Sequence, residues 1–280
     1  MGSPEKPLIS IITCVYNGEE YLEKLIVSVQ EQWDTDVEHL IIDDGSTDST
    51  LEIIKKYPSV RWISRENRGL FASMNEGMEN ARGDFLCFIH SDDLIHPYTL
   101  QKVREAIWQN HSPDGVYGKI LYVDEAEKPY DVQNFINRGG GWVYRYFRHI
   151  SHCSLYIKKE YLVYNRIFFN DSLRCAADYE WFINVFQNKG RFVYVDAYFS
   201  QFRVHEKQVT QQYARQAENE LNSLHKKYGV NPTLFEFFRR VTVIRNGFVR
   251  LYWEWRRHGL QGVIDRTHLI LIRWHLLPGK

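Results

Sequence analysis

Several features that would assign a function outright are missing from this sequence. Its four cysteines include no C-x-x-C pair, so the ligand spacing of a structural zinc site is absent. Lys and Arg together number 35, and so do Asp and Glu. Without a basic excess there is no overall electrostatic case for binding nucleic acid. The cysteines are expected to be reduced thiols, mostly in the core, as is typical of a reducing compartment.

Long hydrophobic runs are also absent. No stretch of about 18 apolar residues, the length needed to cross a bilayer, occurs, and residues 1–7 lack the apolar core of a secretory signal. We therefore expect a cytoplasmic protein. With 280 residues, 44% of them hydrophobic, the chain is long enough for one large domain with an appendage.

The first part of the chain alternates between two kinds of apolar pattern. β-Branched apolar runs predict buried strands at 8–15, 39–42, 60–64 and 85–89. Apolar residues at helical spacing predict helices at 19–32, 49–57, 70–81 and 97–110. The second helix has Ser49 and Glu52 in the positions of a capping box. This alternation predicts an α/β domain with a mainly parallel sheet and right-handed crossovers.

The pattern is less regular after residue 110. It predicts strands at 115–123, 154–158 and 191–195, helices at 178–188 and 210–228, and a mobile loop at 124–141 that ends in three glycines.

Polar residues follow three of the predicted strands. They are Tyr16, the pair Asp43 and Asp44, and the run from His90 to Asp93. Ligands of parallel sheets bind at the carboxyl ends of strands, so these residues predict a binding site. Asp43 or Asp44 would accept a hydrogen bond from a base or a ribose hydroxyl, although Asp and Ser also favour turns for local reasons.

Asp92 and Asp93 are adjacent acids with no packing role in sequence. Two carboxylates repel each other unless a cation joins them. Mg²⁺ and Mn²⁺ bind one or two carboxylates and complete their coordination with phosphate oxygens and water. The alternative is a turn in which one acid caps the helix that opens at Pro97.

Three segments resemble glycosyltransferase family 2, a group of inverting enzymes with a GT-A type fold. They are ISIITCVYNGEEYL, IIDDGSTDST and NRGLFASMNEGMENARGDFLCFIHSDD, collinear over residues 8–98, and a weaker match continues to about His205. The resemblance implies a nucleotide site around Tyr16, Asp43 and Asp44 and a metal–diphosphate site at Asp92 and Asp93. The family often has Asp where this chain has His90. His can ligate Mn²⁺ but suits Mg²⁺ poorly, so His90 is a third candidate ligand for Mn²⁺, and Asp92 or Asp93 would serve for either ion.

Further positions follow from the same resemblance. CAADYEWFINV is similar to the segment that carries the catalytic base, which places the base at Asp178; the family often has Glu where this chain has Ala177. FRVHEKQVT is similar to a loop that closes on the diphosphate, which makes Arg203 and His205 candidate phosphate or metal contacts. The alternative for both is an ordinary surface position. His152 matches a position near the acceptor.

The function implied is transfer of a sugar from a nucleotide diphosphate sugar, a UDP-sugar first, to a hydroxyl of a lipid-linked or surface glycan in polysaccharide biosynthesis. The catalytic domain is predicted at 1–230, with a nucleotide-binding half at 8–110 and an acceptor half at 111–230. One alternative is a sugar nucleotidyltransferase, but its Gly-rich basic loop is replaced here by the acidic CVYNGEEYL. Another is a non-catalytic nucleotide-binding or scaffold protein, which His90 supports.

The remaining segment, 231–280, is predicted to be a basic aromatic helical tail. Residues 236–280 carry nine Lys/Arg against three Asp/Glu, a net charge of +6, and three Trp. A basic helix with an aromatic apolar face is typical of an interfacial membrane helix, so we expect 233–280 to bind an anionic membrane surface, the inner face of the membrane. The alternative is packing against its own domain or against a second subunit in a homo-oligomer.

Overall fold

A computed structural model describes residues 8–32, 36–133, 146, 150–205, 208, 213–238 and 240. Its centre is a nine-stranded sheet in the order β3-β2-β1-β4-β8-β6-β9-β5, with β7 paired to β6. The strands are β1 (Ile9–Val15), β2 (Val37–Asp43), β3 (Arg61–Ser64), β4 (Phe85–Phe88), β5 (Leu94–Ile95), β6 (Gly115–Val123), β7 (Pro129–Gln133), β8 (Leu155–Lys158) and β9 (Phe192–Arg203). The helices are α1 (Leu22–Gln30), α2 (Thr50–Lys55), α3 (Leu70–Asn80), α4 (Thr99–Gln109), α5 (Lys159–Tyr164), α6 (Ala177–Gln187) and α7 (Ala214–Lys227).

The first four strands form the parallel part of the sheet, as predicted. Every residue of β1 is buried, and β1 pairs in parallel with β2 on one side and β4 on the other. β3 continues the parallel order beyond β2. Apolar runs without alternation suit strands that are covered on both faces by crossover helices. The carboxyl ends of these strands therefore meet at one edge of the sheet.

The second half of the sheet is mixed. β8 is antiparallel to both β4 and β6, whereas β6 and β9 are parallel. β9 is longer than the strand predicted at 191–195 and extends to Arg203. Arg203 therefore ends a strand instead of lying in a loop. The position of β9 beside β5 brings the residues that follow it close to the residues that follow β4.

Two local predictions were wrong. Ser49 makes no side-chain capping bond; instead the Asp48 carboxylate accepts hydrogen bonds from the backbone N–H of Thr50 at 3.0 Å and of Glu19 at 3.1 Å. The Asp48 carboxylate therefore binds both the first N–H of α2 and the loop that follows β1. The segment 124–141 is not wholly a loop, because β7 pairs with β6 after a turn at Glu127, whose φ is 63°. The rest of that segment, 134–141, lies outside the described residues.

The core lies on both faces of the sheet. One apolar cluster contains α3 and α6 side chains such as Met74 and Trp181, and the other contains α1 and α4 side chains such as Leu25 and Val103. Gly77 lets α3 approach β1 closely, because a Cβ there would lie 2.4 Å from Ile12 Cγ2.

The start of the tail packs on its own chain. The Asn231 backbone N–H donates to the Tyr146 hydroxyl at 3.2 Å, and the Phe238 ring lies 5.8 Å from the Tyr146 ring. This contact agrees with the alternative of intramolecular packing for the first turns of the segment. Most of the predicted membrane-binding segment, including all of 241–280, lies outside the described residues. Among the residues described, no helix has the length and apolar character required to cross a bilayer.

Candidate active site

The loops that follow β1 and β2 are joined by hydrogen bonds. The Asn17 backbone N–H donates to Ser46 Oγ at 2.8 Å, and the Thr47 N–H donates back to Asn17 Oδ1 at 2.8 Å. Asn17 has a φ of 52°, a left-handed conformation that Asn adopts more readily than most residues. Next to it, Tyr16 leaves 54% of its surface exposed at the rim of the strand ends. This is the position expected of a ring against which a base could stack.

Asp43 and Asp44 are both buried beneath that rim. Asp43 accepts hydrogen bonds from Ser64 Oγ at 2.6 Å and from the Ser46 N–H at 3.2 Å. Asp44 forms an ion pair with Arg65. It also accepts the N–H groups of residues 68 and 69, at 2.8 and 2.9 Å. Both acids thus lie at the predicted edge, with their oxygens engaged by neighbouring loops.

Arg65 is a site residue that the sequence analysis missed. It pairs with Asp44 and with Glu76 on α3, the latter at 2.7 Å, and so ties the β3–α3 loop to the end of β2. The signal in the sequence was a basic residue directly after the strand predicted at 60–64, which follows the strand that ends in two acids. Gly69, with a φ of 93°, lets the chain turn from this loop into α3.

Asp92 and His205 come together although they belong to distant parts of the chain. His205 Nε2 lies 3.0 Å from Asp92 Oδ2, and the two side chains are 7% and 25% exposed respectively. Burial pushes the pKa of Asp92 up, but the hydrogen bond from His205, with the electrostatic effect of the nearby imidazoles, outweighs it, and the pKa falls below its usual value. Asp92 is therefore an ionised carboxylate at the open edge of the site.

Asp93 faces the interior instead. It is 1% exposed, and its Oδ1 accepts the Arg203 backbone N–H at 3.0 Å. Its Oδ2 has no hydrogen-bond partner among the described residues. Burial and the neighbouring Asp92 charge raise the pKa of Asp93 well above its usual value. This placement argues against the prediction that Asp93 is a metal ligand, because the turn closed by the bond from the Asp93 N–H to the His90 carbonyl leaves the Asp93 side chain buried against the Arg203 backbone.

Arg203 is fully buried. Its guanidinium donates to the Asp92 carbonyl at 2.9 Å, to the Glu125 carbonyl at 3.1 Å and to the Glu127 carboxylate at 3.2 Å. It also lies 4.8 Å from the centre of the Tyr21 ring. The charge of Arg203, which was predicted to contact phosphate, is therefore already bound by other groups of the protein. The geometry favours a role in fixing the backbone of Asp92.

His90 and His152 form a pair of rings next to Asp92. Their centroids are 4.2 Å apart with an edge-to-face geometry, and His152 Nδ1 lies 3.1 Å from the Phe88 carbonyl. Because a carbonyl can only accept, Nδ1 carries the proton and Nε2 is left as the acceptor nitrogen. Burial, together with His152, lowers the pKa of His90 to about 3. Burial likewise lowers the pKa of His152, although Asp178 and Asp92 act in the opposite direction.

Asp178 lies in the first turn of α6 and is partly exposed. Its charge acts on His152, where it opposes the lowering of the imidazole pKa by burial. Its Oδ1 accepts the N–H of Tyr179 at 2.7 Å, which orients the carboxylate.

Glu180, two residues further on, is buried. Its carboxylate accepts hydrogen bonds from Lys227 at 2.6 Å, Tyr228 at 2.9 Å and Asn170 at 2.9 Å. Asp178 is therefore the acid on this helix that is accessible to an acceptor.

The structure brings together residues from both predicted halves of the domain. The predicted metal ligands do not form a closed protein site: within the described parts of the chain, no three His, Cys, Asp or Glu side chains group around a common point. The arrangement instead offers one ionised carboxylate, one adjoining imidazole and, across the neutral histidine pair, a second carboxylate.

A comparison with known protein families identifies the family of this chain. The profile described as Glycosyl transferase family 2 matches residues 10–180, well over half of the chain. The chain belongs to glycosyltransferase family 2. The matched segment includes Tyr16, Asp44, Asp92 and Asp178.

Curated relatives agree with this assignment over parts of their length. EpsH of Bacillus subtilis, named as a glycosyltransferase, is 39% identical over 107 residues, which cover 36% of this chain and 31% of that protein. A chondroitin synthase of Escherichia coli is 28% identical over 189 residues, 64% of this chain and 26% of the synthase. This chain therefore aligns with about a third or less of the length of these two relatives.

Solved structures of TarS from S. aureus have the same architecture. TarS residues 1–349 in complex with UDP match with a TM-score of 0.60 and 19% identity, over 95% of this chain and 91% of that chain. The complex with UDP-GlcNAc matches with a TM-score of 0.61 and 24% identity, over 71% and 59%. The likeness confirms the predicted GT-A type α/β fold.

Proposed function

We propose that this glycosyltransferase moves a sugar from a UDP-sugar to a hydroxyl acceptor with inversion at the anomeric carbon. The observation that carries the proposal is the convergence of Asp92 and His205 at one side of the site with His152 and Asp178 at the other. One side suits a diphosphate and the other suits an acceptor. A uracil base would stack on the exposed ring of Tyr16 above Asp43 and Asp44, and the UDP complexes of the TarS structures support UDP as the nucleotide.

Asp92 and His205 fit a divalent cation better than the ligand set predicted from sequence. Asp92 is ionised and partly exposed, and His205 Nδ1 is buried with no hydrogen-bond partner among the described residues. A carboxylate with an imidazole suits Mn²⁺ more than Mg²⁺. Such an ion, completed by diphosphate oxygens and water, would offset the negative charge of the departing UDP. His90 would stay uncoordinated because its ring packs on His152.

Asp178 would act as the general base. Its carboxylate would take the proton of the acceptor hydroxyl as the oxygen attacks the anomeric carbon. The bond from that carbon to the UDP oxygen breaks at the same time, and attack from the opposite face inverts the configuration. His152, neutral and with Nε2 as an acceptor, would bind a neighbouring hydroxyl of the acceptor glycan and leave the proton of the attacking hydroxyl to Asp178.

Arg203 and Asp93 would hold Asp92 in place. Arg203 binds the Asp92 carbonyl, and Asp93 binds the Arg203 backbone. Arg203 and Asp93 would thus fix the position of Asp92 beside the diphosphate without contacting the nucleotide. The same argument makes Asp93 a structural acid.

The acceptor and the tail belong to a further part of the proposal. We infer that the acceptor is a lipid-linked or surface glycan, because the basic aromatic composition of 233–280 suits an anionic membrane surface. The catalytic domain would then comprise 1–230, and the tail would hold it on the cytoplasmic face of a membrane. A homo-oligomer remains the alternative use of the tail.

The test is UDP release from a panel of UDP-sugars, measured with Mn²⁺ and with or without a detergent extract of bacterial membranes as acceptor. We expect release from at least one donor. Asp178→Asn should keep UDP affinity but lose roughly 10²- to 10⁴-fold in release rate, the usual effect of removing one positioned base. UDP binding without release from any donor would favour the non-catalytic alternative. Normal release by Asp178→Asn would reject the assignment of the base.

A further inference from the structure

The start of α6 is held by a carboxylate from a helix far along the chain. Glu220 Oε1 accepts the Arg174 backbone N–H at 3.0 Å, and its Oε2 accepts the Cys175 and Ala176 N–H groups at 2.8 and 3.0 Å. Three consecutive backbone donors thus converge on one side chain of α7. Asp178 lies two residues after the last of them.

The sequence provides no side-chain cap at the start of α6. The residue at the N-cap of α6 is Ala176, which has no side chain able to cap, and no side-chain capping bond is present there. The first N–H groups of a helix have no partner within the helix, and Ser, Thr, Asp or Asn at the N-cap usually satisfies one of them. The Glu220 carboxylate binds the N-cap residue itself and the two residues before it, and so fixes the backbone that leads into α6 and places a negative charge near the positive end of the helix.

The Glu220 carboxylate is itself fixed. Gln216 Nε2 donates to its Oε1 at 2.9 Å. Burial pushes the pKa of Glu220 up, but the bonds from Arg174, Cys175, Gln216 and Ala176 outweigh it, and the pKa is lowered. Glu220 is therefore ionised at neutral pH.

Other contacts hold α7 against α6 along its length. Leu224 packs in a buried cluster with Ala176, Tyr179 and Ile183. At the far end of α7, Lys227 reaches Glu180. α7 lies outside the segment 10–180 that matches the family profile, and yet both Glu220 and Lys227 on it contact the first turns of the helix that carries Asp178.

We propose that Glu220 is a positioning residue for Asp178: its carboxylate sets the start of α6 and so the direction in which the base points towards the acceptor. The proposal rests on the function proposed above, in which Asp178 is the base. Glu220 contacts neither donor nor acceptor in this scheme. Its loss should therefore lower the turnover rate and leave donor binding unchanged.

The experiment compares Glu220→Gln with Glu218→Gln in the full chain. Glu218 is exposed on the same helix, so its variant removes the same charge from α7 without touching the start of α6. The activity readout is UDP release from the panel donor that the unmodified chain turns over fastest. We expect Glu220→Gln to lower kcat by roughly 10- to 100-fold, the scale of a displaced catalytic group, with the KM for the donor unchanged. Glu218→Gln should match the unmodified chain in both.

A second readout does not depend on activity. Hydrogen–deuterium exchange of a peptide spanning residues 173–176 reports the three N–H groups directly. We expect slow exchange in the unmodified chain and in Glu218→Gln, and faster exchange in Glu220→Gln, in which an NH2 group that cannot accept replaces one of the two carboxylate oxygens. Unchanged exchange in Glu220→Gln would overturn the contact, and fast exchange with unchanged kcat would overturn the positioning role.

The outcomes also separate this inference from the proposed function. An active Asp178→Asn rejects the base, and the positioning role falls with it. An inactive Asp178→Asn beside a fully active Glu220→Gln rejects the positioning role alone. A fall in donor affinity together with kcat would indicate general loosening of the domain, which also contradicts positioning.

Discussion

Asp92 and His205 meet at 3.0 Å although 113 residues separate them in the chain. The pair forms because β5, which follows Asp92, lies antiparallel beside β9, which precedes His205. It joins the two predicted halves of the domain at the edge of the sheet where a diphosphate is expected.

The first prediction separates the two adjacent acids. Asp92→Asn should reduce the Mn²⁺-dependent gain in UDP affinity by roughly 10- to 100-fold, the loss that even an outer partner of a metal typically causes. Asp93→Asn should keep that gain, since Asn retains the acceptor for the Arg203 N–H. Isothermal titration of UDP with Mn²⁺ and with chelator measures both. The reverse pattern would restore Asp93 as the ligand.

The second prediction concerns the buried guanidinium of Arg203. Arg203→Met should lower the free energy of unfolding by about 2–5 kcal/mol, because it leaves two carbonyls without their donor and removes the buried one of the two cations that bind Glu127. Lys24→Met is the matched control, since Lys24 pairs with the same Glu127 at 2.6 Å from the exposed side. Its cost should stay below about 1 kcal/mol. Urea unfolding measures both, and equal costs would contradict the difference in burial.

The third prediction is a pH dependence carried by His39. Burial lowers the pKa of His39 from 6.5 to about 3, and its Nε2 lies 3.0 Å from Thr13 Oγ1. The unfolded chain therefore binds a proton that the folded chain excludes. The stability contribution of this histidine is complete above pH 6.5 and is lost as the pH falls towards the folded pKa.

The measurement compares thermal or urea unfolding at pH 7 and pH 5 for the unmodified chain and for His39→Gln, in which Gln can still bind Thr13. Between pH 7 and pH 5 the free energy of unfolding should fall by about 2 kcal/mol more for the unmodified chain than for the variant, at about 1.4 kcal/mol per pH unit. His111→Asn, at an exposed histidine with a φ of 51°, should behave like the unmodified chain. Parallel pH profiles for His39→Gln and the unmodified chain would refute the prediction.

The fourth prediction tests the tail. The full chain should float with anionic liposomes at low salt, and a chain ending at residue 240 should not, since each Lys or Arg near the surface contributes about 1 kcal/mol. Binding should weaken with salt, because the Debye length shrinks from about 10 Å at 0.1 M to about 3 Å at 1 M. Truncation at 240 keeps the contacts of Asn231 and Phe238 with Tyr146. A full chain that stays in solution with anionic liposomes would favour intramolecular packing or a second subunit.

The local patterns of the sequence determined the first half of the fold and the place of the site. Unbroken apolar runs predicted β1, β2 and β4 because strands covered on both faces need such runs, and the polar residues after them had to meet at one edge of a parallel sheet. Short motifs were enough to place Tyr16, Asp43 and Asp44 at that edge, because these residues directly end or follow their strands in sequence. The same local reasoning failed at Ser49, where Asp48 serves two loops at once.

Only the tertiary structure decided what the individual acids and cations do. Asp92 and Asp93 are chemically identical neighbours, and their different surroundings leave one ionised at the site and the other buried. Arg203 was predicted as a phosphate contact, but packing of the β6–β7 turn over the end of β9 encloses its charge. The contact of Glu220 with the start of α6 depends on how two helices pack about forty residues apart in the chain. Such pairings follow from long-range packing and side-chain direction, which sequence spacing does not encode.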